Sequence, residues 1–384
     1  MSWPTVPAAE LMLKRGGSVN PANYPDETFE LLSIPAFDKG EPEIVEGKAI
    51  GSSKSCVQPN DVLLSKIVPH IKRCWVVPAP QGTYRQIGSG EWIIFRSDKI
   101  HPPFLRHFLT SEIFHKQFMN TTAGVGGSLV RARPAEVGNI EIPLPPLPEQ
   151  KRIAAILDKA DAIRRKRQKA IQLADDFLRS VFLDMFGDPV TNPKGWALLP
   201  FSTVGTLDRG KSRHRPRNDP ALLGGAHPLI QTGEVANSRG YIKEYSATYS
   251  DLGLAQSKKW DAGTLCITIA ANIAKTGILT FPACFPDSVV GFIPNKNVTV
   301  EFVQHWLGFL QKNLEENAPQ AAQKNINLEI LRELLIPVPP RQEQEKFSSI
   351  VASILAIEEK VTSSGNALGN AFDALCQKAF SGQL

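Results

Sequence analysis

No run of about 18 apolar residues occurs in this chain, so no segment reads as a membrane-spanning helix. The opening MSWPTVPAAELMLKRGG has no basic stretch followed by an apolar core, and the protein is expected to stay in the cytoplasm. Cysteine is scarce: Cys56, Cys74, Cys266, Cys284 and Cys376 are odd in number, widely spaced and without a CxxC pair. That fits buried reduced thiols and excludes a disulfide framework. The seven histidines are equally scattered, with no metal-ligand spacing. Charge of one sign is also lacking, because 43 Lys and Arg face 38 Asp and Glu for a net +5. By region the balance is +1 over 1–146, +2 over 147–188, +3 over 189–336 and −1 over 337–384, which suits local basic patches on a folded protein and excludes a basic tail.

What the chain does have is a repeat. Ile142-Pro-Leu-Pro-Pro146 with Glu149-Gln150 returns 194 residues later as Ile336-Pro-Val-Pro-Pro340 with Glu343-Gln344. Trp3, Pro7 and Gly17 meet Trp196, Pro200 and Gly210, while Leu173, Phe177 and Gly187 meet Leu368, Phe372 and Gly382. Between these anchors the register drifts: Gly40 meets Gly240, Asn60–Ser65 meets Gly263–Thr268, and Phe104 with Phe108-Leu109 meets Phe302 with Trp306-Leu307. Fixed ends around a drifting middle are what two copies of one fold with different loop lengths produce.

Each copy opens with about 140 residues of short apolar runs broken by Gly, Pro and Asn, which read as short strands and long loops with one helix near Phe104–Phe118 or Phe302–Leu314. Each copy ends in a helix announced by the proline-rich segment, read here as stiff punctuation. Apolar residues recur at Ile153, Ile156, Ala160 and Ile163, then Ala170, Ala174, Phe177 and Val181; the second copy has Phe347, Ile350, Ile354, Ile357 and Val361, then Leu368, Phe372, Leu375 and Ala379. Steps of three and four predict a coiled-coil seam with a stutter near Val361–Gly365. The expected fold is therefore α+β: two similar globular domains at 1–146 and 189–336, separated by long helices at 147–188 and 337–384 that form an antiparallel coiled coil with an internal pseudo-twofold axis. A helix of about 36 residues is a spacer about 54 Å long.

A globular region, a Pro-Pro-x-x-Glu-Gln helix start, and then the whole unit again resembles the specificity subunit of type I restriction-modification systems. IPLPPLPEQKRIAAILD and MFGDPVTNPKGW carry the resemblance, which covers essentially the full chain. It implies that each variable region reads one half of a bipartite site in double-stranded DNA and that the helices bind methyltransferase subunits, two of them, with restriction-motor subunits joining that core. S-adenosylmethionine, ATP and Mg are then expected in those partners, with no cofactor in this chain. One departure is that Thr362-Ser-Ser-Gly-Asn366 stands where the first copy has Arg164-Arg-Lys-Arg167, so the two partner-binding surfaces need not be equivalent. Ile153, Ile163, Phe177, Phe347, Ile354 and Phe372 are the partner-binding candidates on the helices. For Arg164–Lys169 itself, a solvated helix face is the first expectation.

The candidate DNA contacts are basic. Arg209, Lys211, Arg213, His214, Arg215 and Arg217 fall within nine residues with no acid after Asp208. Arginine forks take phosphate oxygens or the O6 and N7 of guanine bidentately. In the first copy the candidates Lys66, Lys72, Arg73, Arg85, Arg131 and Arg133 are more dispersed. Arg131 aligns with Asn325, beside Lys324, just after two polar segments, Gly124–Ser128 and Gln320–Lys324, from which side chains can reach base edges. A competing reading is that Gly205-Thr-Leu-Asp-Arg-Gly210-Lys211-Ser212 is a nucleotide-binding P-loop. Two prolines follow where such a loop needs a helix, and the first copy has Gly16-Gly-Ser-Val19 there. No Asn/Asp-Pro-Pro-Tyr/Phe methyltransferase motif, Ser/His/Asp set or paired carboxylates occur, so no catalytic residues are expected. A DNA reader, a nucleotide-using enzyme and a coiled-coil scaffold are the three classes left to separate.

Overall fold

The structure, a computed structural model, describes residues 3–123, 130–270, 274–317, 327–363 and 366–384. It divides into two compact units: residues 1–168 with 361–384, and residues 169–360. Each globular domain thus packs with part of the first long helix and part of the C-terminal helical segment.

In the first unit the strands Cys74–Val76, Val62–Ser65 and Trp92–Phe95 form an antiparallel sheet with Val62–Ser65 in the middle. A five-stranded sheet runs Ser18–Val19, Lys54–Cys56, Arg85–Gly88, Thr28–Leu32, Glu43–Glu46. The helix Pro102–Thr110 buries Phe104, Leu105, Phe108 and Leu109 against the three-stranded sheet.

In the second unit the strands Thr276–Leu279, Leu265–Thr268 and Val289–Pro294 repeat the same antiparallel order, extended by Gly205–Arg209 on one edge and Gly240–Ile242 on the other. A four-stranded sheet, Ala247–Tyr249, Leu223–Leu229, Ala283–Cys284, Lys259–Trp260, lies beside it. Phe302, Val303, Trp306 and Leu307 on the helix Val300–Asn317 fill its core.

The aligned anchors coincide in backbone conformation. Asn60 and Gly263 have φ of 72° and 86°, and Gly40 and Gly240 have 91° and 99°. These are left-handed turns that Gly or Asn meets at least strain. The proline-rich segments are more than punctuation. Glu141–Pro143 pairs antiparallel with Thr5–Pro7, and Leu335–Val338 with Ala197–Pro200, so each domain's first strand is zipped to its last. Proline is tolerated because these are two-stranded ladders with free edges.

The first long helix spans Leu147–Phe186, 40 residues. In the first unit Ile153, Ala154 and Leu157 pack in one core with Cys376, Ala379 and Phe380 of the helix Asn366–Ser381, and Arg152 Nη2 donates to the Leu384 carbonyl at 3.0 Å. In the second unit Leu178, Phe182 and Phe186 meet Phe347 and Val351 of the helix Arg341–Ser363, with the Phe182 and Phe347 rings 5.5 Å apart. Within each unit the pairing is antiparallel, since Arg152 meets Leu384 and Arg164 lies over Phe372, while Phe186 meets Phe347 and Asp175 shares Arg239 with Glu358. The expected stutter falls partly on residues 364–365, which lie outside the described residues. All five cysteines are free, and all but Cys56 are buried.

Candidate nucleic-acid interface

The cationic loop of the second domain starts where the strand Gly205–Arg209 ends. Gly210 crosses so close to the next segment that a Cβ would lie 2.3 Å from the Phe285 carbonyl oxygen and 2.4 Å from that of Pro286. Glycine is required there by backbone approach. Beyond it the loop is tied down at successive points. Gly210 N–H donates to the Val289 carbonyl at 2.9 Å and Lys211 N–H to that of Phe285 at 3.1 Å. Arg213 and His214 N–H both donate to Gln256 Oε1, at 2.6 and 3.1 Å, and Ser257 Oγ donates to the Lys211 carbonyl at 2.8 Å. Ser212 is buried. The loop is a platform with its backbone fixed.

Its side chains divide into two sets. Arg217 Nη2 donates to Asp287 at 2.6 Å, while Arg215 lies 3.8 Å from the same carboxylate and donates Nη1 to the Ser212 and His214 carbonyls. His214 is bonded to Asp219 at 3.0 Å. Arg209, Lys211 and Arg213 remain exposed, without a side-chain hydrogen-bond or ion-pair partner among the described residues. Three cations held on a fixed backbone, with no internal counter-ion, can take phosphate oxygens or base edges from an approaching polyanion.

The same geometry removes the P-loop reading. Gly205–Arg209 is a strand, Lys211-Ser212 opens no helix, and the next helical residues are the short turn Pro220–Leu222. No row of free helix N–H groups faces the lysine, so the phosphate cradle that the motif implies is absent from these described residues.

In the first domain the candidate cations are engaged by acids of the same fold. Arg73 donates Nε and Nη2 to both oxygens of Asp38 at 2.7 and 2.8 Å, and this fork holds the Asp38 carboxyl below its ordinary pKa. Arg85 forks onto Glu27 at 3.0 and 2.7 Å and lies over the Tyr24 ring, 4.7 Å from its centre. Both guanidinium groups are engaged by carboxylates of their own domain. Lys72 bonds Glu112, and Lys66 donates to the Gly90 carbonyl at 2.6 Å. Arg131 and Arg133 pair with Glu91 and Glu136 at 3.3 and 2.6 Å, yet stay 60% and 57% exposed, so among these six candidates they are the most open to a ligand. Lys324, Asn325 and the segments Gly124–Ser128 and Gln320–Lys324 lie outside the described residues.

The helix candidates also divide. Ile153 and Phe347 are fully buried, Ile354 packs on the second unit's core, and Phe372 packs on the first beneath the Arg164 guanidinium, 5.2 Å from its ring centre. Ile153 and Phe347 thus leave no surface for a partner, a correction to their reading as partner contacts, while Ile354 and Phe372 are only partly buried. The physical reason is phase: the buried stripe runs through Ile153, Leu157, Asp161, Leu178 and Phe182, and Ile163 and Phe177 fall off it. Ile163 and Phe177 are left exposed, with Leu173 and Ile357. Arg164 and Arg165 pair with the buried Asp161 at 2.7 and 2.6 Å, as expected for cations covering a helix seam.

Residues 51–173 and 193–363 match the family model described as the type I restriction modification DNA specificity domain. The chain belongs to this family. It is 23% identical over 274 residues to the putative type I restriction enzyme MjaX specificity subunit of Methanocaldococcus jannaschii, covering 67% of this chain and 62% of that protein. It is 22% identical over 321 residues to the type I restriction enzyme EcoKI specificity subunit of Escherichia coli, covering 76% and 68%. The chain thus spans just under two thirds of the length of the archaeal relative. In fold it is similar to the crystal structure of a type I restriction-modification system S subunit from M. genitalium, at 14% identity and a TM-score of 0.61 over 98% of this chain and 96% of that one. It is also similar to a chain from a type I R-M system solved for complex assembly and conformational transition, at 21% identity and a TM-score of 0.51 over 100% and 98%.

In this member of the specificity-domain family the Glu-Gln pair of the repeat has a definite task. Gln150 is fully buried: its Oε1 accepts from His101 N–H at 2.7 Å, and its Nε2 donates to the Lys99 and Pro145 carbonyls at 3.0 and 2.8 Å. Gln344 repeats this with Thr299 N–H at 2.9 Å and the Asn297 and Pro339 carbonyls at 3.0 and 2.8 Å. Each glutamine ties the start of a long helix to the turn before a domain helix, using its amide fully. These two were visible as repeat anchors but were not singled out as site residues. A glutamine standing at the same place in both copies, directly after each proline-rich segment, was the signal.

Proposed function

We propose that this chain is the non-catalytic DNA-reading subunit of a type I restriction-modification complex, working in the cytoplasm, with each recognition domain reading one half of a bipartite double-stranded site. The helices set the spacing and bind two methyltransferase subunits, and restriction-motor subunits join through that core. S-adenosylmethionine, ATP and Mg belong to the partners. The observation that carries the reading is the loop of the second domain, where Arg209, Lys211 and Arg213 stand unneutralised on a tethered backbone within a repeated fold. Exposed Ile163, Leu173, Phe177 and Ile357 support subunit binding by the helices.

The test is exchange. Replacing residues 1–146 by the first domain of another family member should change one half of the methylated sequence, read by sequencing genomic DNA from cells carrying the complex. A change in both halves, or in neither, would overturn independent reading. Salt-dependent DNA affinity of the chain with its methyltransferase partner separates this reading from a scaffold without DNA.

A further inference from the structure

The strand Gly240–Ile242 closes one edge of the second unit's five-stranded sheet, pairing in parallel with Thr276–Leu279. It and its flanks touch three helices. Gln304 Nε2, on Val300–Asn317, donates to the Gly240 carbonyl at 2.6 Å. The Tyr241 hydroxyl donates to Glu301 Oε1 at 3.3 Å, and the other oxygen of Glu301 accepts from Ser348 Oγ on Arg341–Ser363 at 2.9 Å. Arg239 Nη2 lies 3.6 Å from Asp175 on the first long helix and 3.8 Å from Glu358 on Arg341–Ser363, and Lys243 pairs with the adjacent Glu359.

Two features mark this as more than surface decoration. Arg239 and Gly240 both have left-handed backbones, φ 50° and 99°, and the first is uncommon for a residue with a Cβ. Beside them is a cavity of about 410 Å³ lined by Asp175, Arg179, Arg239, Tyr241, His305 and Glu358. Tyr241 packs on the core beside this space, and the flanks of the sheet edge, Arg239 and Lys243, are joined to the helices by polar ties. The first domain is built otherwise. Lys39, which precedes the left-handed Gly40 as Arg239 precedes Gly240, bonds Glu43 at 2.9 Å within its own domain. The domain is held to the long helix instead by Arg106 and His107, which share Asp158 at 2.9 and 2.7 Å. The latch is thus not a general requirement of the repeated fold.

We propose that Arg239, assisted by Lys243, is a positioning residue that fixes the angle at which the second recognition domain stands on its helices, and thereby sets how strictly the complex discriminates the spacer length between half-sites. The inference rests on the bipartite reading above. Arg239 reaches no DNA in this role. It acts through Asp175 and Glu358, so its loss loosens geometry and leaves base recognition intact.

The experiment uses the full chain assembled with its methyltransferase subunits. Binding is measured on duplexes carrying the native spacer, one base pair more or one less, and on duplexes with a substituted base in either half-site. In R239A/K243A the preference for the native spacer should fall about three- to tenfold, the range expected when a small charge network is lost, while the half-site penalties stay as in the unsubstituted complex. R239K keeps the charge between two carboxylates at long range and should retain most of the preference. E358Q, which leaves the shape of the helix, should lose part of it and serves if the double variant does not fold. Unchanged spacer preference in folded R239A/K243A, or in E358Q where the double variant fails, overturns the latch. So does an equal loss of half-site discrimination. Failure of the unsubstituted complex to prefer any spacer overturns the bipartite reading instead.

Discussion

The two recognition domains share a frame and differ in how they treat charge. Gln150 and Gln344 make the same three hydrogen bonds, and Trp3 and Trp196 each donate an indole N–H to a carbonyl at a helix end, Ala379 at 2.7 Å and Phe186 at 2.9 Å. The same three-stranded order sits under the same helix. Yet Asp38, Glu27 and Glu112 engage Arg73, Arg85 and Lys72 in the first domain, while the second leaves Arg209, Lys211 and Arg213 free. What ties a domain to its helix is repeated, and what faces outward is not. That is the division expected of a scaffold presenting different reading surfaces.

The largest expected effect strikes the shared part. Gln344→Leu strands the Thr299 N–H and two carbonyls in a buried site, and Gln150→Leu does the same to His101 N–H, Lys99 and Pro145, so each should destabilise its own unit by about 2–4 kcal/mol. Thermal unfolding of the two variants should show similar losses. A loss confined to one would break the claim of a common frame.

Next comes the unshared part. R209A/K211A/R213A should weaken DNA binding and lower the log-log salt slope by nearly one unit for each phosphate contact removed. Arg215→Ala and Arg217→Ala should act less, because both guanidinium groups already face Asp287. An unchanged slope in the triple variant would return the loop to a solvated role.

Much of the frame was legible because it rests on backbone demands. Asn60 against Gly263 and Gly40 against Gly240 mark left-handed turns that few residue types meet, and they align the two copies across loops of different length. The helix seam was less legible. An apolar pattern at steps of three and four fits two adjacent stripes, and the buried one contains the carboxylate Asp161, made tolerable by Arg164 and Arg165, while Ile163 and Phe177 lie outside it. Nor did the sequence reveal which cations were free. Arg73 meets Asp38, Arg85 meets Glu27 and Arg217 meets Asp287 across 35, 58 and 70 residues, pairings that only the fold creates.

Acid offers a smaller, graded test of the comparison, since His107 and His305 occupy equivalent places. Burial lowers both pKa values; Arg106 adds to this at His107 while Asp158 opposes it, and at His305 the bond to the Glu301 carbonyl opposes it. A histidine depressed in the folded state binds more protons unfolded, so its contribution is present above the unfolded value near 6.5 and is lost as pH falls below it. Both units should lose stability as pH falls from about 6.5 towards 5. His107→Gln should flatten that loss in the first unit alone, followed by hydrogen exchange of each unit's amides.

The smallest expected effect concerns Arg73 and Arg85. If their forks serve the fold, Arg73→Met and Arg85→Met should each change stability by about 1 kcal/mol or less, since both are partly exposed ion pairs, with Arg85 losing its place over Tyr24 as well. DNA affinity and its salt slope should stay as they are. In the same assay R131A/R133A should reduce the slope, because those two cations are more exposed than Arg73 and Arg85. The contrast within one domain matters more than either value. A fall in slope for Arg85→Met as large as for R131A/R133A would mean that the Glu27 fork opens when DNA arrives. The first domain would then read with cations it holds in reserve, and the difference between the two domains would lie in when their charges are exposed.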